Sequence, residues 1–269
     1  MTRGLTNRIL TTEIDADGSS RGPDEVAVEE PLEIRLDGNL VGTTMRTPGH
    51  DFELAAGFCL SDGLLGDAPV RSVKYCRGDG PGSVVESEFN VVTVSTGGRA
   101  PIPEPRLGVT TSACGMCGTT AVDELRTRLH PLPVVDPFPA SLVLDAPERL
   151  LVAAPIFSST GAVHAAALFD RAGDVVVLRE DVGRHNAVDK VVGERLLAGA
   201  IPAPELGLAV SGRVGFEIIQ KAWAAGITLV VAKGAPTSLA VEAARIARIT
   251  LVGWASDGRA RIYEGTVSP

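Results

Sequence analysis

Aromatic side chains are scarce in this chain of 269 residues: Phe, Tyr and Trp together make up 4%. That argues against the stacking platforms that bind single-stranded nucleic acid, and it requires a core of Val, Leu, Ile and Ala, which the 45% hydrophobic content can supply. Net positive charge is lacking too. The formal charge of −8 opposes binding to a phosphate backbone over a broad surface, so an anionic ligand must be met by a local cluster of cations. No apolar run approaches the ~18 residues needed to span a bilayer. The four cysteines come without a secretory signal, which points to a reducing cytoplasm rather than a disulfide framework. Neither G-x-x-x-x-G-K-S/T nor a strand-following G-x-G-x-x-G occurs, so no ordinary NTPase loop or Rossmann site is indicated.

What the chain does have is Ser112-Ala113-Cys114-Gly115-Met116-Cys117-Gly118, two cysteines in four residues with a glycine after each. Gly115 and Gly118 permit unusual backbone angles, so a partner atom can approach either sulfur closely. Thr120 to Asp123 fits a capping box, and Val122, Leu125 and Leu129 follow at helical spacing, which sets the cysteines before a positive helix end. A free thiol of pKa ~8.5 is only about 3% thiolate at neutral pH, and the thiolate is the nucleophile. A helix end contributes about 0.3–1 kcal/mol, less than one pKa unit, so a further helper is needed. The same residues could also be a zinc half-site, a redox dithiol or a tight turn. Zinc wants four ligands, and Cys59 and Cys76 do not form a second C-x-x-C; thioredoxin-like dithiols usually follow a βαβ start and lack these flanking glycines.

Taken in order, residues 1–30 show little periodicity and read as a loose segment. A smaller α+β domain spans 31–108. Leu32, Ile34 and Leu36 alternate with polar residues before the Asp37-Gly38 turn, and the chain returns through Leu40–Met45 as a hairpin. Thr47 caps a helix with Pro48 in its first turn, and Phe52, Ala55, Ala56 and Cys59 share one face, which makes Cys59 a packing residue. Strands near Val70–Cys76 and Phe89–Val94 flank the turn-rich Gly78–Gly82. Pro101, Pro103 and Pro105 form a stiff boundary. In the larger domain, 109–269, an ambiguous segment Ser141–Phe157 precedes a hairpin of Ala162–Phe169 with Val175–Leu178. Helices Arg184–Ala198, Arg213–Ala225 and Ser238–Ala247 then alternate with strands Leu208–Val210, Ile227–Ala232 and Ile249–Trp254. Such alternation implies a layered α/β domain with a largely parallel sheet.

In open α/β sheets, ligands bind beyond the carboxyl ends of the strands. Here those ends read Arg179 to Asn186, Ser211-Gly212-Arg213, Lys233 to Ser238, and Ala255 to Arg259; each carries glycine and a cation. Three lead into helix N-termini, which bind anions through free N–H groups. Turns require Gly and polar residues anyway, but four such junctions together read as a phosphate cradle that includes Arg184 and Arg213. A zinc deaminase combines H-x-E with a later P-C-x-x-C. His164-Ala165-Ala166 lacks the glutamate and follows the cysteines, so no metal is expected.

The Ser112–Gly118 stretch, Glu180 to Lys190, Ser211-Gly212-Arg213 and Ala235 to Ala240 together resemble the FdhD family of formate dehydrogenase accessory sulfurtransferases; Thr47-Pro48-Gly49 and Leu251 to Trp254 agree. The resemblance implies a cytidine-deaminase-like α/β domain without the zinc site. It implies sulfur taken from a cysteine desulfurase as a persulfide on Cys114, with Cys117 as the second cysteine, and passed to the bis molybdopterin guanine dinucleotide molybdenum cofactor for formate dehydrogenase. It further implies a cytoplasmic homodimer and a cofactor-binding segment matching Trp254, Ala255, Ser256, Asp257, Gly258 and Arg259. Trp254 stands where phenylalanine is also found, and Ala255, Ser256 and Asp257 vary. The residues alone leave two other readings open. A non-catalytic nucleotide chaperone needs the cradle without the cysteines; a dithiol oxidoreductase needs the cysteines without the cradle. For Trp254 to Arg259 the plain alternative is a hairpin turn through Ser256-Asp257-Gly258.

Overall fold

The computed structural model describes residues 4–76, 88–102, 125 and 127–269. The turn at Gly78–Gly82, the prolines 103 and 105, the Cys114–Cys117 stretch and the capping box after it lie outside the described residues. Of the helix expected after the cysteines, Leu125 is helical and fully buried, and its carbonyl accepts from Leu129 N at 2.7 Å.

Residues 6–27, within the segment expected to be loose, are regular. They form a hairpin of β1 (Thr6–Asp15) and β2 (Gly18–Ala27), antiparallel from Thr6↔Ala27 to Asp15↔Gly18. The pairing escapes the sequence because both faces are mostly in water, so no apolar alternation marks the strands.

A four-stranded sheet follows, in the order β4-β3-β6-β5, from β3 (Glu30–Leu36), β4 (Asn39–Arg46), β5 (Ser72–Tyr75) and β6 (Val91–Ser95). Leu32, Ile34, Leu36, Val92 and Val94 bury one core with Leu54, Ala55, Phe58 and Cys59 of α1 (Asp51–Ser61). Thr47 does not cap that helix. The N-cap is His50, in the left-handed region at φ 57°, with no side-chain cap bond; Thr47 binds the other sheet instead, as described below.

The six-stranded sheet runs β12-β11-β10-β9-β7-β8. Its strands are β7 (His164–Phe169), β8 (Val175–Asp181), β9 (Gly207–Val210), β10 (Leu229–Ala232), β11 (Thr250–Ser256) and β12 (Arg259–Glu264). It is mixed rather than largely parallel. Only β9, β10 and β11 pair in parallel; β7 lies antiparallel to both β8 and β9, and β12 antiparallel to β11. Two reversals cancel, so β8 runs in the same direction as β9, β10 and β11. Side chains alternate between two cores. Ala166, Leu168, Leu208, Val210 and Val230 face α4 (Arg184–Leu197), α5 (Phe216–Ala224) and α6 (Ser238–Ala247). Ala165, Ala167, Ala209, Val231 and Val252 face α2 (Ala140–Val152) on the opposite side; a short α3 (Pro155–Thr160) leads from there into β7. The segment 141–157 is thus helical with a break before Pro155. Helix α5 starts three residues later than expected, because Val214 bridges Pro236 and keeps the chain extended to Gly215.

The two sheets meet across α1 and α4. A Cβ on Gly57 would lie 2.0 Å from the Asp189 carbonyl oxygen, and one on Gly193 would lie 1.8 Å from that of Glu53. Only glycine permits so close an approach of two helix backbones. Charges are buried at the same junction: Lys221 Nζ contacts both oxygens of Asp189 at 2.8 Å, and Ser61 Oγ donates to Asp189 Oδ1 at 3.0 Å.

Candidate functional site

The shared direction of β8, β9, β10 and β11 brings all four expected junctions to one sheet edge. The start of β7 joins them, since His164 pairs with Asp181. Asp181 anchors this edge. Its carboxylate accepts from Lys190, at 2.7 Å, and from Thr47 N, Gly183 N and Asn186 Nδ2. Thr47 Oγ1 in turn accepts from Val182 N at 3.1 Å. The turn Val182-Gly183 is thereby held from both sheets, and it fixes where Arg184 and His185 enter α4.

Burial pushes the Asp181 carboxyl up, against the pull of Lys190. Cys59, fully buried in the core of the four-stranded sheet, is pushed up by burial as well, which removes it as a nucleophile at neutral pH. Cys76, expected within a strand, sits one residue beyond β5, its N–H donating to Val91 O at 2.9 Å.

Four further side chains gather around Arg184. His185, 14% exposed, holds its Nε2 3.7 Å from Glu217 Oε2. Arg184 Nε is buried without a hydrogen-bond partner among the described residues. Burial and the charge of Arg213 push the Arg184 guanidinium down from its ordinary value, with Glu217 acting the other way. His164 is also pushed down, by burial and then by Arg184 and His185. Glu217 is held down at about 2, first by the His185 side chain beside it and further by the charge of Arg184; at 3.7 Å the His185 contact is not a hydrogen bond, and His185 Nε2, like Arg184 Nε, is buried without a hydrogen-bond partner among the described residues. The charge of Arg213 thus reaches Arg184. Arg213 and Lys233 are exposed.

The next two junctions are laced to the first by backbone. Gly234 N donates to Gly212 O at 3.2 Å, and Trp254 N to Gly234 O at 3.1 Å. A Cβ on Gly234 would lie 2.8 Å from Arg213 N, so this close layering requires glycine. At Trp254 the β11–β12 pairing slips between Gly253 and Ser256, and Trp254 takes φ 55° with its side chain 50% exposed. A bulky residue in the left-handed region is strained by roughly 1–3 kcal/mol. The slip also turns Ala255 fully into the core against α2, so Ala255 has only backbone to offer a ligand. Asp257 (φ 52°) and Gly258 (φ 69°) then close the hairpin, with Ser256 opposite Arg259. Asp257 N donates to Glu148 Oε1 of α2 at 3.3 Å, which aims the tip toward the α2 face.

Expected site residues thus fall into three groups. Arg184 and Arg213 come together; Trp254 adjoins them through Gly234; Cys114 and Cys117 lie outside the described residues. Sequence reasoning missed His164 and Glu217 as members of the edge. An acidic residue in the first turn of a helix is commonplace and carried no signal, and His164 joins only through the antiparallel insertion of β7.

Comparison with known proteins agrees across nearly the whole length. Residues 27–268 match the model of the FdhD/NarQ family. The chain is 43% identical to the sulfur carrier protein FdhD of Streptomyces avermitilis, covering 97% of this chain and 94% of that one. It is 47% identical to the protein of the same name from Anaeromyxobacter dehalogenans strain 2CP-C, over 89% and 86%. A crystal structure of a protein from Desulfotalea psychrophila assigned as a formate dehydrogenase accessory protein superposes with a TM-score of 0.76, at 25% identity over 97% of this chain and 98% of that one.

Proposed function

The chain belongs to the FdhD/NarQ family, and from that premise we propose that it is a sulfur carrier that loads sulfur on Cys114 and delivers it in the maturation of formate dehydrogenase. The observation that carries this reading is the span of the family match, 27–268, which takes in both the Cys114–Cys117 stretch and the cationic sheet edge. In the loading step, the Cys114 thiolate attacks the outer sulfur of a persulfide on a cysteine desulfurase. One S–S bond forms at Cys114, the other breaks, and the desulfurase cysteine leaves as thiolate. The sulfane sulfur moves between thiols and no external oxidant is consumed. Cys117 is the second thiol of the same C-x-x-C stretch.

The acceptor is the molybdenum cofactor in its bis molybdopterin guanine dinucleotide form, bound as substrate. Arg184 and Arg213 take pyrophosphate oxygens, and Trp254 to Arg259 take a guanine nucleotide end. Local cations in a chain of net charge −8 support an anionic ligand. The exposed face of Trp254, held in a strained conformation, supports a ligand contact, since such strain clusters at functional sites. The separate cores of the two sheets support a division into 31–108 and a deaminase-like 109–269, and the protein works as a cytoplasmic homodimer. Among the described residues no helix is long and apolar enough to cross a membrane.

The test is to incubate the protein with a cysteine desulfurase and cysteine and to weigh the peptide containing 114–117. One added sulfur, lost in Cys114→Ala and kept in Cys59→Ala and Cys76→Ala, is expected. An internal Cys114–Cys117 disulfide as the only product would point to a dithiol oxidoreductase instead.

A further inference from the structure

Glu217 is the anomaly of the sheet edge: an acid placed where the surroundings call for an incoming anion. Its side chain is 45% exposed, yet its Oε2 folds back to within 3.7 Å of His185 Nε2 and would lie 2.8 Å from a Cβ on Gly215. Gly215 is the N-cap of α5 and offers no side chain to the free N–H groups. The carboxylate rests against that residue, beside the opening of the helix, the place where a bound phosphate oxygen would sit. Arg184 Nε and His185 Nε2 are buried there without hydrogen-bond partners among the described residues, and the charges of Arg213 and Glu217 both reach Arg184.

We propose that Glu217 is a built-in stand-in for the ligand's phosphate, occupying the anion seat formed by Arg184, His185, Arg213 and the N-terminus of α5, and swinging out to solvent when a pyrophosphate group enters. The inference rests on the reading of Arg184 and Arg213 as cofactor contacts and adds to it a residue that acts against binding. Two consequences follow from charge alone. In the free protein, Glu217 relieves the repulsion between Arg184 and Arg213, which would otherwise face each other uncompensated. During binding, an anion must exchange contacts with a carboxylate rather than enter a vacant site. A singly charged anion gains nothing by that exchange, whereas a pyrophosphate brings more charge than it displaces. The seat is thereby graded toward multiply charged ligands. The partial exposure of Glu217 leaves its side chain a free path outward, so the exchange needs no backbone movement.

The experiment is isothermal titration of the full chain with inorganic pyrophosphate at fixed low salt, for the unaltered protein, Glu217→Gln, Arg184→Ala and Arg213→Ala. Removing the competing charge is expected to tighten pyrophosphate binding about threefold to tenfold, the range left to a half-exposed charge-assisted contact, while either arginine change weakens it. Chloride should compete more effectively with pyrophosphate in Glu217→Gln than in the unaltered protein. If Glu217→Gln loses its cooperative melt, Glu217→Asp replaces it, since one methylene less draws the carboxylate away from His185 and predicts the same direction. Unchanged or weaker binding in the Glu217 variant, with both arginine variants impaired, would overturn the stand-in role and leave the cofactor reading intact. No effect in either arginine variant would remove the seat itself, and both readings with it.

Discussion

Lys190 Nζ lies 2.7 Å from Asp181 Oδ2 with both side chains out of water, and it also donates to Thr47 O of the opposite layer at 2.9 Å. One ammonium thus joins the last residue of β8 to the loop before α1. Removing it leaves a buried carboxylate without its counter-charge, a loss of about 3–5 kcal/mol. Lys190→Met should lower the unfolding free energy extrapolated from urea titration by that amount. Because Asp181 fixes the Val182-Gly183 turn, the variant should also weaken nucleotide binding at temperatures where it remains folded.

Arg184→Ala and Arg213→Ala are each expected to reduce GDP affinity about tenfold to a hundredfold, the worth of a charge-assisted hydrogen bond of ~1.5–3 kcal/mol. Calorimetric titration measures the loss directly. Unchanged affinity with a lowered melting temperature would make the two arginines structural.

At Trp254 stability and binding should part. Trp254→Gly removes the left-handed strain, about 1 kcal/mol or more, which offsets part of the roughly 2–3 kcal/mol lost with the buried half of the indole. The melting temperature should fall by only a few degrees while GDP affinity falls sharply. Arg259→Ala should likewise weaken GDP relative to ADP, and persulfide formation on Cys114 should survive both changes because loading and cofactor binding are separate steps. Equal affinity for GDP and ADP, indifferent to Arg259→Ala, would take this hairpin out of the site.

The acid limb of stability should carry the mark of Glu53. Despite burial, hydrogen bonds from Arg179, at 2.5 and 2.8 Å, and from His50 hold its carboxyl at about 2, against an ordinary value of 4.5. A carboxyl held down in the folded state adds stability that is fully present above its unfolded pKa and lost as pH falls through the folded one. The window is therefore about pH 5 to pH 2, and the contribution is on the order of 1 kcal/mol after allowance for solvent screening. Urea titrations of Glu53→Gln should show a shallower fall in stability across that window than the unaltered protein.

How much of this could be read from the sequence depended on whether the signal was local. The α/β alternation after Val175 was legible because apolar runs of strand length and helical stripes alternate there, and α6 falls on its expected residues, 238–247, behind the capping Thr237. The direction of β7 was not legible, since pairing is set by neighbours far along the chain. The β1–β2 hairpin was hidden by its solvation. Thr47 was misread for a different reason: a threonine before Pro looks like a helix cap, yet its backbone and hydroxyl are engaged by Asp181 and Val182, more than 130 residues away. Arg184 and Arg213 were legible as polar residues at strand ends. Their common neighbour Glu217 was not, because only the folded edge shows which charges it faces.

The reversed strand β7 sets a ruler across the site. Neighbouring strands in a sheet stand ~4.8 Å apart, so inserting β7 between β8 and β9 spaces the entrances of α4 and α5 at roughly twice that distance, about 10 Å. In an uninterrupted parallel sheet the two helix openings would crowd into one notch fit for a single small anion. With the extra strand between them, Arg184 and Arg213 reach one seat from two sides, and the gap is wide enough for the two linked phosphates of a pyrophosphate rather than one small anion.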